Sequence, residues 1–210
     1  MAQLGGYIFF SIRLLTALLL AVCLSPLPDN RVTTMTASAA GAAPPAGNIR
    51  IVIWKSNYTL TLYQGDNPVK TYRAVFGKGY QDGDKRRQGD KRTPEGDFYI
   101  CTMINSKRFY KFMGLSYPSL KHADYGFQAG MLSQDEYLLI KKALAERQQP
   151  LWETQLGGAV GIHGGMPETL LAPLSLAVMN WTDGCIALVN SDMDELFGVV
   201  SLGTPVTILP

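Results

Sequence analysis

The sequence has few metal-binding side chains and no excess of charge. Its 210 residues include two histidines and three cysteines, and their spacing fits none of the four-ligand zinc motifs. Lysine and arginine number 19 against 17 acidic residues, a balance that gives no support for nucleic-acid binding. We therefore expect neither a zinc site nor a nucleic-acid partner.

The sequence also lacks a long membrane-spanning run. Near the N-terminus Leu14–Leu24 is apolar and follows Arg13, which suits a signal-peptide core better than a bilayer span of about 20 residues. The small residues of Ala37–Ala43 fit a cleavage site, but they lie far beyond that core. We predict that residues 1–40 are a signal peptide or an uncleaved anchor, with lipidation at Cys23 a further alternative. The protein would then be exported to the periplasm or cell envelope and would meet the membrane only through this segment.

The rest of the chain has the pattern of one mainly β domain. With 47% hydrophobic residues, 21 glycines and 12 prolines, the composition is globular and argues against a helical bundle. Residues 41–48 are interpreted as a linker and 49–210 as a single domain. Runs of β-branched and aromatic residues predict strands at Ile49–Trp54, Tyr58–Tyr63, Val69–Phe76, Asp97–Met103, Ala159–Ile162, Cys185–Val189 and Val206–Leu209.

Helical signals are fewer. Ser133 with Glu136 three residues later has the pattern of a capping box and predicts a helix over 133–147. Ser191–Phe197 predicts a second, short helix. The segment Met103–Gly158 is long for a connection within a β domain, and we interpret it as a helical cap. The predicted fold class is α+β, mainly β: a mixed β-sandwich with an inserted helical cap.

Two short segments concentrate the candidate chemistry. Gly161–Gly165 carries His163 out of a predicted strand, and Thr182–Leu188 places Cys185 after a tight glycine turn. A thiol is mostly protonated at neutral pH, and a neighbouring imidazole can take its proton. The glycines would let backbone N–H groups face a tetrahedral oxyanion. From spacing alone, a catalytic pair and two packing residues at strand ends remain alternative interpretations.

These segments resemble the L,D-transpeptidase catalytic domain, the YkuD-like family of bacterial cell-wall enzymes. The matching pieces follow family order over residues 49–210: Ile51–Tyr63, Lys91–Phe98, His163-Gly164, Thr182-Asp183-Gly184-Cys185-Ile186, Asn190 and Gly203–Val206. Two positions depart from the usual pattern, because Asp183 stands where the family has His and Ala187 where it has Arg. The resemblance is therefore to a variant branch with Asp before the Gly-Cys pair.

The resemblance implies an L,D-transpeptidase-like fold and acyl transfer on peptidoglycan stem peptides. Cys185 would attack a tetrapeptide stem, expel D-alanine and pass the acyl group to an amine on a neighbouring stem. His163 would be the general base. The family analogy implies no metal or organic cofactor, and it implies acylation by carbapenem β-lactams.

The resemblance also implies supporting residues around this pair. Gly184, Gly164 and Thr182 would supply backbone support and the oxyanion hole. Tyr117 and Asp183 are candidates for contact with the substrate.

Several alternatives remain open from the sequence. The same pair would serve a hydrolase, either an L,D-carboxypeptidase or an amidase acting on wall-linked peptide. A non-catalytic peptidoglycan-binding module is the third hypothesis, docking through the loop 77–92, which is otherwise interpreted as solvated. That loop holds six basic residues: Lys78, Lys85, Arg86, Arg87, Lys91 and Arg92. Cys101 is expected to be a small buried residue, with a disulfide to Cys185 as the alternative, and His122 is expected at the surface or in a structural role.

Overall fold

The structure, a computed structural model, describes residues 48–171 and 180–210. Both ranges belong to a single structural unit. The predicted N-terminal segment 1–40 and the linker 41–48 lie outside the described residues, apart from Asn48, and stay predictions. None of the helices in these two ranges has the length and hydropathy that crossing a membrane requires.

The backbone is organised around one eight-stranded sheet. Its strands are β1 (Ile49–Trp54), β2 (Thr59–Gln64), β3 (Asn67–Arg73), β4 (Gly96–Ser106), β5 (Tyr110–Leu115), β6 (Gly161–Met166), β7 (Ile186–Val189) and β8 (Pro205–Leu209). Their order is β3-β2-β1-β8-β4-β5-β6-β7. The pairs β1–β8 and β6–β7 are parallel and the other neighbours are antiparallel.

The two ends of this sheet meet. Just beyond β3, the N–H of Val75 donates to the carbonyl of Ala187 in β7 at 3.0 Å, and the N–H of Ala187 donates back at 2.9 Å. A second bridge joins Gly77 to Thr182. The strands therefore curl into a nearly closed barrel.

Within the described ranges, three α-helices accompany the sheet: α1 (Leu120–Gln128), α2 (Gln134–Ala145) and α3 (Asn190–Val199). The predicted capping box begins α2, because the hydroxyl of Ser133 accepts from the N–H of Glu136 at 3.2 Å and the Glu136 carboxylate accepts from the N–H of Ser133 at 2.7 Å. A small apolar cluster lies between α1 and α2, made of Ala123, Leu132, Ile140 and Leu156. The predicted mainly β, α+β fold with an inserted helical element is confirmed.

One central strand was missed by the sequence analysis. The structure places β5 inside the segment Met103–Gly158, between β4 and β6, so the helical insertion begins only after Leu115. The last four residues of β5 are all buried, and a strand covered on both faces shows no apolar–polar alternation. Phe112 of β5 pairs with His163 of β6. The missed strand is therefore the one that holds the histidine strand in place.

Candidate active site

Neighbouring parallel strands bring His163 and Cys185 to one face of the sheet. In the register of β6 and β7, Ile162 lies beside Ile186 and His163 beside Ala187. Side chains alternate between faces along a strand, and Ile162 and Ile186 are fully buried in the main core. His163 and Cys185 therefore leave the opposite face. Ordinary strand spacing places their Cα atoms about 8 Å apart on the diagonal.

The imidazole of His163 is held in one tautomer. Its Nδ1 lies 2.6 Å from the carbonyl oxygen of Gly164, which can only accept, so Nδ1 carries the proton and Nε2 keeps a lone pair. The ring is 1% exposed and lies 4.4 Å from the Phe109 ring and 5.8 Å from the Trp181 ring, between centroids. Burial, with a smaller effect of Arg108, holds the pKa of His163 below its usual value. His163 is therefore a neutral base at neutral pH.

Cys185 is a free, half-buried thiol. Its Sγ donates to the carbonyl of Ala159 at 3.7 Å. Burial raises the pKa of this thiol, and the carboxylate of Asp183 adds to the rise. A backbone hydrogen bond from Gly161 and the charge of Lys85 oppose it. Cys101 is also a free thiol, so no disulfide joins Cys101 to Cys185. Burial raises the pKa of Cys101 to about 12. Cys101 is half-buried, more exposed than expected.

Cys185 therefore rests as a thiol and His163 as a neutral imidazole, and this predicts a particular pH dependence. Since the thiol pKa is raised, alkylation of Cys185 by iodoacetamide should keep accelerating above pH ~8.5, the ordinary cysteine value. Since the imidazole pKa is lowered, acylation should decline only below pH ~6.5, the ordinary histidine value. Alkylation that levels off near neutral pH would instead indicate a thiolate–imidazolium pair.

The turn before Cys185 is braced by Thr182. The buried Thr182 hydroxyl donates to the carbonyl of Cys185 at 2.7 Å and accepts from the N–H of Gly184 at 3.2 Å. Gly184 has φ +134°, and a Cβ there would lie 2.7 Å from the carbonyl oxygen of Arg92. The support expected from Thr182 and Gly184 is therefore conformational. The N–H of Gly184, expected as an oxyanion donor, is engaged within the turn.

Gly184→Ala should destabilise the protein by about 3 kcal/mol, because the new methyl group meets backbone and the φ is unfavourable for any L side chain. Urea unfolding measures this change. Gly198→Ala is the matched control, since a Cβ at this α3 position meets nothing within 4 Å and alanine favours helix by roughly 0.5–1 kcal/mol. Equal effects at the two positions would contradict the close approach at Gly184.

A cleft of about 330 Å³ opens at Cys185. One wall comes from the loop 85–91 and the other from the end of the helical insertion; the lining residues are Lys85, Gln88, Gly89, Lys91, Gly157, Gly158, Ala159, Val160, Asp183 and Cys185. Asp183 is exposed here and forms no hydrogen bond or ion pair with any described residue. No group of three potential metal ligands lies in the described part of the chain.

Two residues singled out from the sequence lie in the interior. Tyr117 is fully buried and its hydroxyl donates to the carbonyl of Leu156 at 3.1 Å, so it is not available for the expected substrate contact. Ala187, the departure from the family arginine, is fully buried in a small apolar cluster with Val75, Met166 and Val189. An arginine at this position would bury an unpaired guanidinium, which the cluster excludes.

The structure also assigns residues whose roles were not apparent in the sequence. Lys85, grouped with the basic residues of a solvated loop, is only 3% exposed. The rings of Phe109 and Trp181 pack against His163, although neither residue stands in a recognisable motif. His122 is structural, because its ring nitrogens lie 2.7 Å from the Ser119 hydroxyl and 3.0 Å from the Asp84 carboxylate. Only the position of Trp181, directly before the cysteine signature, could have suggested its place.

A known protein family matches the part of the chain that contains these residues. The sequence model of the L,D-transpeptidase catalytic domain (YkuD) matches residues 48–208. The chain therefore belongs to the L,D-transpeptidase catalytic domain family. This confirms the resemblance on which the expected fold was based.

Solved structures with a similar fold include three from different bacteria. Bd1075 of Bdellovibrio bacteriovorus is 17% identical with a TM-score of 0.49, over 78% of this chain and 48% of that one. The helical cell shape determining protein Pgp2 of Campylobacter jejuni is 19% identical with a TM-score of 0.46, over 76% and 46%. An L,D-transpeptidase from Mycobacterium smegmatis is 12% identical with a TM-score of 0.43, over 78% and 59%. The chain thus spans about half the length of these proteins. No curated protein sequence matches it significantly.

Proposed function

We propose that the protein is a peptidoglycan L,D-transpeptidase that uses Cys185 as nucleophile and His163 as general base. The observation that carries the proposal is the register of β6 and β7, which directs a neutral imidazole with a free Nε2 and a thiol that lines a cleft to the same face of the sheet. This arrangement suits acyl transfer, because the imidazole can accept the thiol proton as sulfur attacks. Membership of the family supports the substrate class.

The proposed reaction has two half-reactions. In the first, Nε2 of His163 takes the thiol proton while Sγ of Cys185 bonds to the carbonyl carbon on the L-centre of the stem diamino acid. The bond from that carbon to the D-alanine nitrogen breaks, and the imidazolium returns its proton to the leaving amine. In the second, an acceptor amine attacks the thioester and releases a proton to His163, which passes it to the departing sulfur. The thiol is regenerated and a 3→3 cross-link is formed.

Asp183 supports an amine as the acceptor. Its carboxylate is exposed at the cleft and has no ion-pair partner among the described residues, so a positive group entering beside Cys185 would meet an unpaired negative charge. The amine of a stem diamino acid enters as an ammonium ion and loses one proton to solvent before it attacks the thioester. We propose that Asp183 contacts the acceptor stem.

Product analysis tests the proposed reaction against its alternatives. The protein is incubated with tetrapeptide muropeptides, beside a Cys185→Ala variant, and the products are weighed by mass spectrometry. Joined stems with released D-alanine support a transpeptidase. Shortened or freed stems would identify a carboxypeptidase or an amidase. Unchanged stems, with salt-sensitive binding to sacculi that does not depend on Cys185, would identify a binding module docking through the loop 77–92.

Acylation by a carbapenem provides a second test of the same site. We propose that Sγ of Cys185 attacks the β-lactam carbonyl carbon and that the bond from this carbon to the ring nitrogen breaks. The thiol proton passes through His163 to that nitrogen. Intact-protein mass should then rise by one carbapenem in the wild type and stay unchanged in Cys185→Ala.

We further propose that the protein works in the periplasm or cell envelope. The apolar segment Leu14–Leu24 supports export, and peptidoglycan lies outside the inner membrane. Fractionation of cells expressing the full chain, with a cytoplasmic marker as control, tests this. Recovery of the protein with the cytoplasmic marker would contradict it.

A further inference from the structure

The cleft beside Cys185 has a buried cation in one wall. The Nζ of Lys85 donates to the Asp90 carboxylate at 2.7 Å and to the carbonyl of Arg87 at 3.0 Å. The same carboxylate accepts from the backbone N–H groups of Arg86, Arg87 and Arg92, at 2.7, 3.0 and 3.0 Å. Asp90 therefore holds the ammonium of Lys85 in place, and the same carboxylate is itself fixed by three backbone N–H groups.

The ammonium of Lys85 lies close to the turn that carries Cys185. Its Nζ lies 3.9 Å from the point that a Cβ on Gly184 would occupy, and Gly184 directly precedes Cys185. Two of its three N–H donors are used by described residues, and the Tyr117 ring lies 6.0 Å away. One N–H therefore remains without a hydrogen-bond acceptor among the described residues, at the base of the cleft.

The proposed reaction develops negative charge close to this cation. Proton transfer to His163 leaves negative charge on the sulfur of Cys185, and the neighbouring N–H of Gly184 is already engaged by Thr182. Arg108 is exposed, so solvent screens its charge, whereas Lys85 is screened much less because it is buried.

We propose that Lys85 is a positioning residue that acts through Cys185. Its buried ammonium stabilises the thiolate and so sets the fraction of Cys185 that is reactive at neutral pH. A role of the Lys85 charge in catalysis rests on the proposed function. The effect of that charge on the Cys185 thiol is independent of the proposed function. A surface lysine could anchor the loop equally well, and only a buried one can act on the sulfur with little screening.

The test measures the alkylation rate of Cys185 against pH in the full-length protein. Iodoacetamide is the probe, and peptide mass mapping separates Cys185 from Cys101 and Cys23. The variant Lys85→Met/Asp90→Asn removes both charges and leaves no carboxylate unpaired. We expect Cys185 to react several times more slowly at pH 7, because the loss of the Lys85 charge lowers the thiolate fraction and the loss of the Asp90 charge offsets only part of that effect.

The chain offers a matched control in a second buried pair. Lys55 is 2% exposed, its Nζ lies 2.5 Å from the Glu95 carboxylate, and it does not line the cleft of Cys185. Lys55→Met/Glu95→Gln should leave the alkylation profile unchanged. An equal slowing in both double variants, or in neither, would overturn the proposal.

A second variant keeps the proposal testable if the double variant does not fold. Asp90→Asn retains the hydrogen-bond acceptor and removes the opposing charge, so alkylation at pH 7 should become severalfold faster; an unchanged rate counts against Lys85. Failure of the role of Lys85 can be distinguished from failure of the proposed function, because alkylation of Cys185 does not require enzymatic turnover. Cross-linking activity with an unchanged thiol profile in the variants refutes only the role of Lys85. A shifted profile in a protein that forms no products refutes only the proposed function.

Discussion

Replacing Cys185 with alanine is expected to abolish acyl transfer while the fold is retained. The thiol is the only group proposed to bond to the substrate carbonyl, so activity should fall at least about a thousandfold, as when other enzymes lose their nucleophile. Alanine is compatible with the fold, because Cys185 is half-buried directly before β7 and its hydrogen bond to the carbonyl of Ala159 is long, at 3.7 Å. Release of D-alanine from tetrapeptide stems measures the activity, and thermal unfolding measures the fold.

Cys101→Ala is the matched control for this experiment. Cys101 lies on β4, outside the residues that line the cleft, and its raised pKa makes it a poor nucleophile. We expect this variant to keep its activity. Retained activity in Cys185→Ala would remove the nucleophile from the proposed mechanism, whatever the behaviour of Cys101→Ala.

Replacing His163 with glutamine should slow acylation by about 10²–10⁴-fold, the usual contribution of a positioned general base. A glutamine amide can still donate to the carbonyl of Gly164, but it has no basic nitrogen to take the thiol proton. The loss should shrink as the pH rises, because hydroxide then forms the thiolate without a base. Single-turnover acylation by a carbapenem from pH 6 to 10 measures both effects.

His122→Gln provides the comparison, since it replaces the other histidine of the chain. His122 is bonded to Ser119 and Asp84, so this variant should lose stability but keep its acylation rate per folded molecule. If the two histidine variants lowered acylation equally at all pH values, His163 would act through the fold alone.

The sequence predicts those parts of this molecule that depend on local patterns. The β1–β2 hairpin and the helix that begins after Ser133 are confirmed, because alternation and a capping box are short-range signals. The fold class and the family motif are confirmed as well. In contrast, β5 is buried along most of its length and shows no apolar–polar alternation. The sequence analysis therefore did not separate this strand from the helical insertion that follows it.

The site itself is only partly predictable. A motif predicts that His163 and Cys185 act together, and the register of β6 and β7 places both on one face. The burial of Lys85 and of Tyr117 could not be foreseen, because it depends on where the loop 85–91 packs in three dimensions. The sequence around Lys85, which is one of six basic residues in its loop, does not show whether its side chain is buried. The same is true of Tyr117, which stands next to a proline.

The closure of the sheet at Ala187 limits how a peptide can bind. Because β7 is hydrogen-bonded to β6 on one side and, through Ala187, to Val75 on the other, the strand that follows Cys185 offers no free edge at Ala187. Under the proposed function, an extended stem peptide would therefore not bind by adding a strand there, the mode that open sheets offer to their ligands. Its recognition would depend instead on side chains and turns at the mouth of the cleft.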